Sequence, residues 1–228
     1  MTFKIASENS VIFYLEEPIS ERSIHRLKQI TEVVSAALGD QLLDCIPSYR
    51  SLLITFNAFH LSHQQVISLL ETTIKKLTES HAPTSNHSQL VRLPVFYDES
   101  TGPDLPRIAK HHQIEIEDVI TRHCMTIYHV YAIGFAPGFA YLGHVDEKIA
   151  MPRLSSPRPT VAQGSVGIAD RQTAIYPASS PGGWNIIGRC PSLLFNPDTE
   201  PAMPFKVGDR VQFMPVNEQE YRYLGGEL

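Results

Sequence analysis

Arg158, Arg171 and Arg189 bring cations to a stretch, Gly134 to Pro191, that holds only three carboxylates, Asp146, Glu147 and Asp170. An arginine fork grips a carboxylate or phosphate in bidentate fashion. Around these arginines stand Gln163, Gln172, Thr173, Tyr176, Ser180 and Asn185, neutral polar groups suited to an amide or a ring nitrogen. Phe135, Phe139, Tyr141 and Trp184 are apolar enough to wall a small ligand. Backbone amides in Gly164 to Gly167 and at Gly182-Gly183 are placed to stabilise a developing oxyanion. Asp170 is the general-base candidate by type, but no residue is assigned as catalytic. The pattern predicts a substrate-binding set of Arg158, Ser165, Gln172, Thr173, Tyr176, Trp184 and Arg189. Phe135, Pro137, Gly138, Phe139, Tyr141, Gly164, Gly182 and Gly183 line the expected pocket. The competing reading keeps these turns and drops the pocket, leaving a rigid protein-binding edge.

Glycine and proline are too frequent here for a helix, and apolar residues too frequent for a disordered tail. Short strands joined by tight turns remain. Other chemistries find less support. Gly164-Ser165-Val166-Gly167 lacks the first glycine of a nucleophile elbow, because Gln163 stands there. Phosphate-loop and dinucleotide fingerprints are absent. His60 and His63, or His111 and His112, have no third ligand nearby in sequence, so no metal is expected. Cys190 beside Arg189 reads as a small buried residue rather than a reactive thiol.

The whole chain has 228 residues, 43% apolar and 19% charged, with a net charge of −5 and no basic run. That excludes a nucleic-acid-binding face. No apolar run approaches the roughly 20 residues of a membrane span, and the three cysteines form no close pair. The expectation is a cytoplasmic globular protein with reduced thiols.

Two regions must position the stretch. In the first, Phe3 to Ala6 and Val11 to Leu15 read as strands. A helix follows Ser20, with an apolar face from Ile24 to Leu38 and a stop at Gly39. Leu42 to Ile46 and Leu52 to Phe56 are strands joined by Pro47 to Arg50, and a capping box at Ser62 and Gln65 opens a second helix. The polar run His81 to Gln89 reads as a linker, giving domains 1–85 and 86–228. The second domain opens with a strand, Leu90 to Tyr97. Helices at Asp104 to His112 and Ile116 to Cys124 follow, and everything from Thr126 to Pro215 reads as β. The fold class is α+β, with a small α/β sandwich followed by a β-barrel or closed sandwich.

Three ordered motifs carry a resemblance. They are G-F-A-P-G-F-A-Y-L-G from Gly134, G-S-V-G-I-A-D-R-Q-T-A-I-Y-P from Gly164, and S-P-G-G-W-N-I-I-G-R from Ser180. Together they resemble the family of bacterial 5-oxoprolinase B subunits, also called the Kip kinase-inhibitor or allophanate hydrolase subunit 1 family. The resemblance implies a cyclophilin-like barrel and partnership with the C and A subunits of that enzyme. It also implies ATP, used at the level of the complex, to convert 5-oxo-L-proline to L-glutamate. Arg158 or Arg189 would then hold the carboxylate, and Gln172 and Thr173 the lactam. A regulator of a sensor histidine kinase, or a subunit for urea- or allophanate-type amides, are the alternatives. The chain departs from the family pattern at Ala162-Gln163, Asp170, Ala174 and Cys190.

Overall fold

The computed structural model describes residues 2–79 and 88–228. Most of the expected linker, 81–87, lies outside the described residues. The chain divides into two compact units, Met1–His87 and Ser88–Leu228.

The first unit holds an antiparallel sheet in the order β1 (Thr2–Ser7), β2 (Ser10–Tyr14), β4 (Ser51–Phe56), β3 (Leu42–Ser48). Alternation decides its buried face. Val11 and Phe13 lie opposite Ile54 and Leu52, and all four are buried. Helix α1 (Glu21–Leu38) covers them with Leu27, Ile30, Val34 and Leu38, and α2 (His63–Glu79) with Val66, Leu70 and Ile74. Both caps form. The Ser20 hydroxyl accepts from the Ser23 amide at 3.1 Å, and Gln65 Oε1 accepts from the Ser62 amide at 2.8 Å. The connection between β3 and β4 is tighter than the sequence suggested. Pro47 and Ser48 remain in register with Leu52 and Ser51, and Tyr49 turns the chain at φ 51°.

The second unit is a closed barrel of seven strands. Its strands are β5 (Leu90–Phe96), β6 (Ile127–Ile133), β7 (Ala140–Gly143), β9 (Ser165–Ala169), β10 (Gln172–Ile175), β12 (Asn185–Arg189) and β13 (Arg210–Val216). Going round, the order is β6, β13, β5, β12, β9, β10, β7, and β7 pairs back onto β6. Only β5 and β13 run parallel, with seven registered pairs from Arg210 opposite Leu90 to Val216 opposite Phe96. Val95, Tyr128, Val130, Leu142, Val166, Ile168, Ile175, Ile187, Val211 and Phe213 belong to the barrel core, which α3 (Leu105–His112) and α4 (Ile116–Met125) extend with Leu105, Ile108 and Val119. A two-stranded ribbon, β8 (Arg158–Val161) with β11 (Ser180–Gly182), is separate from the barrel strands.

The last helix, α5 (Glu218–Tyr223), was not anticipated from sequence. Its capping box is plain in retrospect, since Asn217 Oδ1 accepts from the Glu220 amide and Glu220 Oε2 from the Asn217 amide. Among the described residues no helix is long and apolar enough to cross a membrane.

Candidate functional site

The period of two along the barrel strands creates the site. Val166 and Ile168 of β9, Ile175 of β10, Ile187 of β12 and Leu142 of β7 enter the barrel core. Their neighbours Ala169, Ala174, Tyr176, Ile186 and Tyr141 belong instead to a second cluster with Phe139, Val161 and Trp184. Phe139 is its hub. Its ring stands nearly perpendicular to those of Trp184 and Tyr176, at 5.7 and 5.5 Å, and meets Tyr141 at 4.9 Å and Phe135 at 5.2 Å. Edge-to-face contacts of this kind lock ring orientations.

Beside the hub is a cavity of about 110 Å³ lined by Phe135, Phe139, Tyr141, Arg153, Tyr176, Pro181, Gly182, Gly183 and Trp184. Phe135 forms its rim, 64% exposed and held at φ 75°, a backbone region costly for a side chain of its size. Gly182 leaves the Tyr176 phenol its place, because a β-carbon there would overlap it. Burial pushes that phenol above its ordinary pKa, and the Trp184 backbone and Arg153 partly offset the shift.

Of the residues expected at the pocket, the structure brings together Phe135, Phe139, Tyr141, Tyr176, Gly182, Gly183 and Trp184. The others lie elsewhere. Arg158 donates to Asp104 Oδ1 at 2.8 Å and to the Trp184 carbonyl at 3.2 Å. Arg189 donates to the Glu227 carbonyl at 3.1 Å. Gly164, at φ 79°, packs against the Cys190 carbonyl, and Gly138 against Leu194 and Phe195. Ser165 is buried at the turn into β9, where its amide donates to the Ala162 carbonyl. Pro137 belongs to the same turn as Gly138, between Phe135 and Phe139, and is not part of the lining. Gln172 pairs with Gly143 at the edge of β10. Asp170 sits at φ 53° in the turn between β9 and β10, bridged to Met151, which explains why a glycine-like position tolerates it. Arg171 pairs with Glu147 at 2.9 Å.

Thr173 is fully buried and belongs to the barrel interior. Its hydroxyl donates to the Gly167 carbonyl at 3.0 Å and therefore accepts from Nε2 of His123 at 2.9 Å. His123 Nδ1 then accepts from the Tyr97 hydroxyl at 2.7 Å. The imidazole stacks on Phe213, and burial holds its pKa down to about 3. Asn185, also fully buried, donates to the carbonyls of Pro152 and Ile168 at 3.0 Å and accepts from Arg107. These groups brace the strands beneath the cavity and do not face it.

Two lining residues are not marked out by the sequence, Pro181 beside Gly182, and Arg153. Arg153 lies between β7 and β8 in a segment without periodicity, and only the chain's return towards Trp184 brings it to the site. A larger hollow of about 640 Å³ lies along Ser20, Glu21, Arg22, His25, Arg26 and Gln29. It follows the outward side of the first turns of α1, and His25 and Arg26 already face Glu21 and Glu17, so it gathers no set of convergent groups. Of the paired histidines, His63 bonds the Ser7 carbonyl and His112 the Ala150 carbonyl.

The chain matches the family model of the carboxyltransferase domain, subdomain C and D, over residues 1–205. It is 40% identical over 226 residues to the 5-oxoprolinase B subunit of Bacillus subtilis (strain 168), covering 94% of this chain and 92% of that protein. Among solved structures, TTHA0988 matches with a TM-score of 0.78 and 33% identity over 91% of this chain, and the chain spans 40% of the length of that protein. The Kluyveromyces lactis urea carboxylase shares the fold, with a TM-score of 0.76 at 18% identity, over 97% of this chain and 22% of that one. With a match of this strength over nearly its full length, and with an aromatic cavity that draws on all three of its sequence motifs, the chain belongs to the family of 5-oxoprolinase B subunits.

Proposed function

We propose that this chain is the B subunit of a cytoplasmic, ATP-dependent 5-oxoprolinase, working with the A and C subunits to open 5-oxo-L-proline to L-glutamate. The observation that carries the reading is the aromatic cavity of about 110 Å³ in a chain similar over nearly its whole length to a named B subunit. A five-membered lactam is small and nearly flat. Walls of Phe139, Tyr141 and Trp184 suit its ring, and the Tyr176 hydroxyl and the Gly182-Gly183 backbone suit its amide edge.

Amide resonance makes the lactam C–N bond resistant to water. ATP supplies the activating phosphoryl group in such a reaction, but the nucleotide does not fit this cavity. Its size is well below the roughly 300–1,000 Å³ of sites for drug-sized ligands, and its lining offers no carboxylate to hold a magnesium ion. This chain's residues are therefore given the work of binding the lactam, fixing its orientation and keeping water from its ring face. The nucleotide belongs to the assembled complex.

The test is reconstitution of the chain with its A and C subunits, following glutamate and ADP formation from 5-oxo-L-proline as each component is omitted. Turnover that needs every component supports the reading. A complex that forms but leaves 5-oxo-L-proline untouched overturns it. The chain's likeness to a urea amidolyase, 22% identical over 86% of this chain, then favours a second reading, a urea-type amide as substrate.

A further inference from the structure

The cations of the focal stretch differ in what they already hold. Arg158 is engaged by Asp104, Arg171 by Glu147 and Arg189 by the Glu227 carbonyl. Arg153 is different. Its guanidinium carbon lies 5.7 Å from the centroid of the Trp184 ring, it lines the cavity, and among the described residues it has no carboxylate partner. The lining contains five aromatic rings and no acidic residue, so Arg153 sets the sign of the potential inside. A guanidinium resting on an aromatic face is weakly hydrated and keeps its planar fork open at the edge. The walls around it are fixed by the Phe139 contacts, so a ligand that reaches the fork has its ring position decided as well.

We infer that Arg153 is the carboxylate-binding group of this cavity, which makes it a site for a small monocarboxylate carrying a compact ring. The ring lies against Phe139, Tyr141 and Trp184, and the carboxylate accepts two parallel N–H donations from Arg153. The identity of the ligand as 5-oxo-L-proline rests on the function proposed above; the assignment of Arg153 does not. Specificity follows from the same geometry. A neutral lactam of the same shape fills the ring position but leaves the fork without a partner, and a dicarboxylate brings a second charge against aromatic walls.

The chain's single tryptophan stands in the cavity wall and reports directly on occupancy. The experiment titrates the chain, alone and assembled with the A and C subunits, with 5-oxo-L-proline and with pyrrolidin-2-one, the same ring without the carboxylate. Trp184 emission is followed in wild type, Arg153→Gln and Arg153→Lys. A saturable change with 5-oxo-L-proline is expected, weakened on the order of tenfold to a hundredfold in Arg153→Gln. In the assembled enzyme KM rises by a similar factor while kcat changes little. Arg153→Lys falls between, since it keeps the charge and loses the fork, and this ordering separates loss of binding from loss of fold. Pyrrolidin-2-one binds all three proteins equally weakly. Equal affinity and equal KM for 5-oxo-L-proline in wild type and Arg153→Gln overturn the assignment, as does a Trp184 signal that no small monocarboxylate perturbs in either state. If another ring monocarboxylate such as L-proline binds in an Arg153-dependent way while 5-oxo-L-proline does not, the assignment of Arg153 stands and the 5-oxoprolinase reading falls. If 5-oxo-L-proline is consumed with KM unchanged in Arg153→Gln, the reverse holds.

Discussion

Nε2 of His123 lies 2.9 Å from Oγ1 of Thr173, the middle link in a chain of hydrogen bonds that runs from Tyr97 to the Gly167 carbonyl. The hydroxyl of Thr173 is spent on the Gly167 carbonyl, so the imidazole must donate from Nε2. Thr173→Val keeps the side chain's shape and leaves that N–H without an acceptor in the core. A loss of about 1–3 kcal/mol in unfolding free energy is expected. Urea denaturation of Thr173→Val against Thr173→Ser measures it, and Trp184 titrations of the two variants should agree.

The neutral state of His123 makes stability depend on pH. Burial lowers its folded pKa from 6.5 to about 3, so between these values the unfolded chain binds the extra proton. Stability therefore falls as pH drops below about 6.5, by up to about 1.4 kcal/mol per pH unit from this group. His144, lowered by burial and then by Arg171, acts in the same sense. Denaturant midpoints measured from pH 7 to pH 5 should decline in wild type and decline less steeply in His123→Gln.

Asp104 accepts from Arg158 at 2.8 Å and from the Ile186 amide at 2.7 Å, and is itself almost wholly buried. Asp104→Ala strands both donors, and a loss of about 2–3 kcal/mol is expected. Arg158→Ala removes a side chain that is 30% exposed and leaves Asp104 its amide contact, so about 1 kcal/mol is expected. Thermal melts of the two variants give the order, and Arg158→Ala should retain most of its ligand affinity.

Gly182→Ala places a methyl group where the Tyr176 phenol now lies. The ring must turn, taking Phe139 with it through their 5.5 Å contact. Ligand-dependent change in Trp184 emission should be lost while the far-UV circular dichroism spectrum is kept.

No thiol should react quickly. Burial raises the pKa of all three cysteines, Cys45 to about 11. At pH 8 a disulfide reagent should modify less than one thiol per chain within minutes, and three after unfolding.

Much of this architecture was legible because it is local. The period-3.6 stripe from Ile24 to Leu38, the cap at Ser62 and the alternation in β2 and β4 each encode their own element. The aromatic walls were legible as well, since Phe135, Phe139, Tyr141 and Trp184 are conspicuous in a Gly- and Pro-rich stretch. Charge was harder to place. Arg158 and Arg153 look alike in sequence, and only the fold gives one to Asp104 and the other to Trp184. Thr173 beside Gln172 suggested a polar pair, but neighbours on a strand face opposite ways, and Thr173 turns inward to His123.

The parallel pairing of β5 with β13 also sets an order of events during synthesis. Leu90–Phe96 is among the first barrel segments to leave the ribosome, and its partner Arg210–Val216 is the last strand. Because β13 also pairs with β6, a nascent chain ending before Arg210 carries two open strand edges. The barrel has no closed form until Val216 has been made, and for the time taken to add the intervening residues those edges are free to pair with other chains. A lower expression level, which leaves fewer nascent chains within reach of one another during that window, should raise the soluble yield of this protein more than it does for a barrel closed by sequential hairpins.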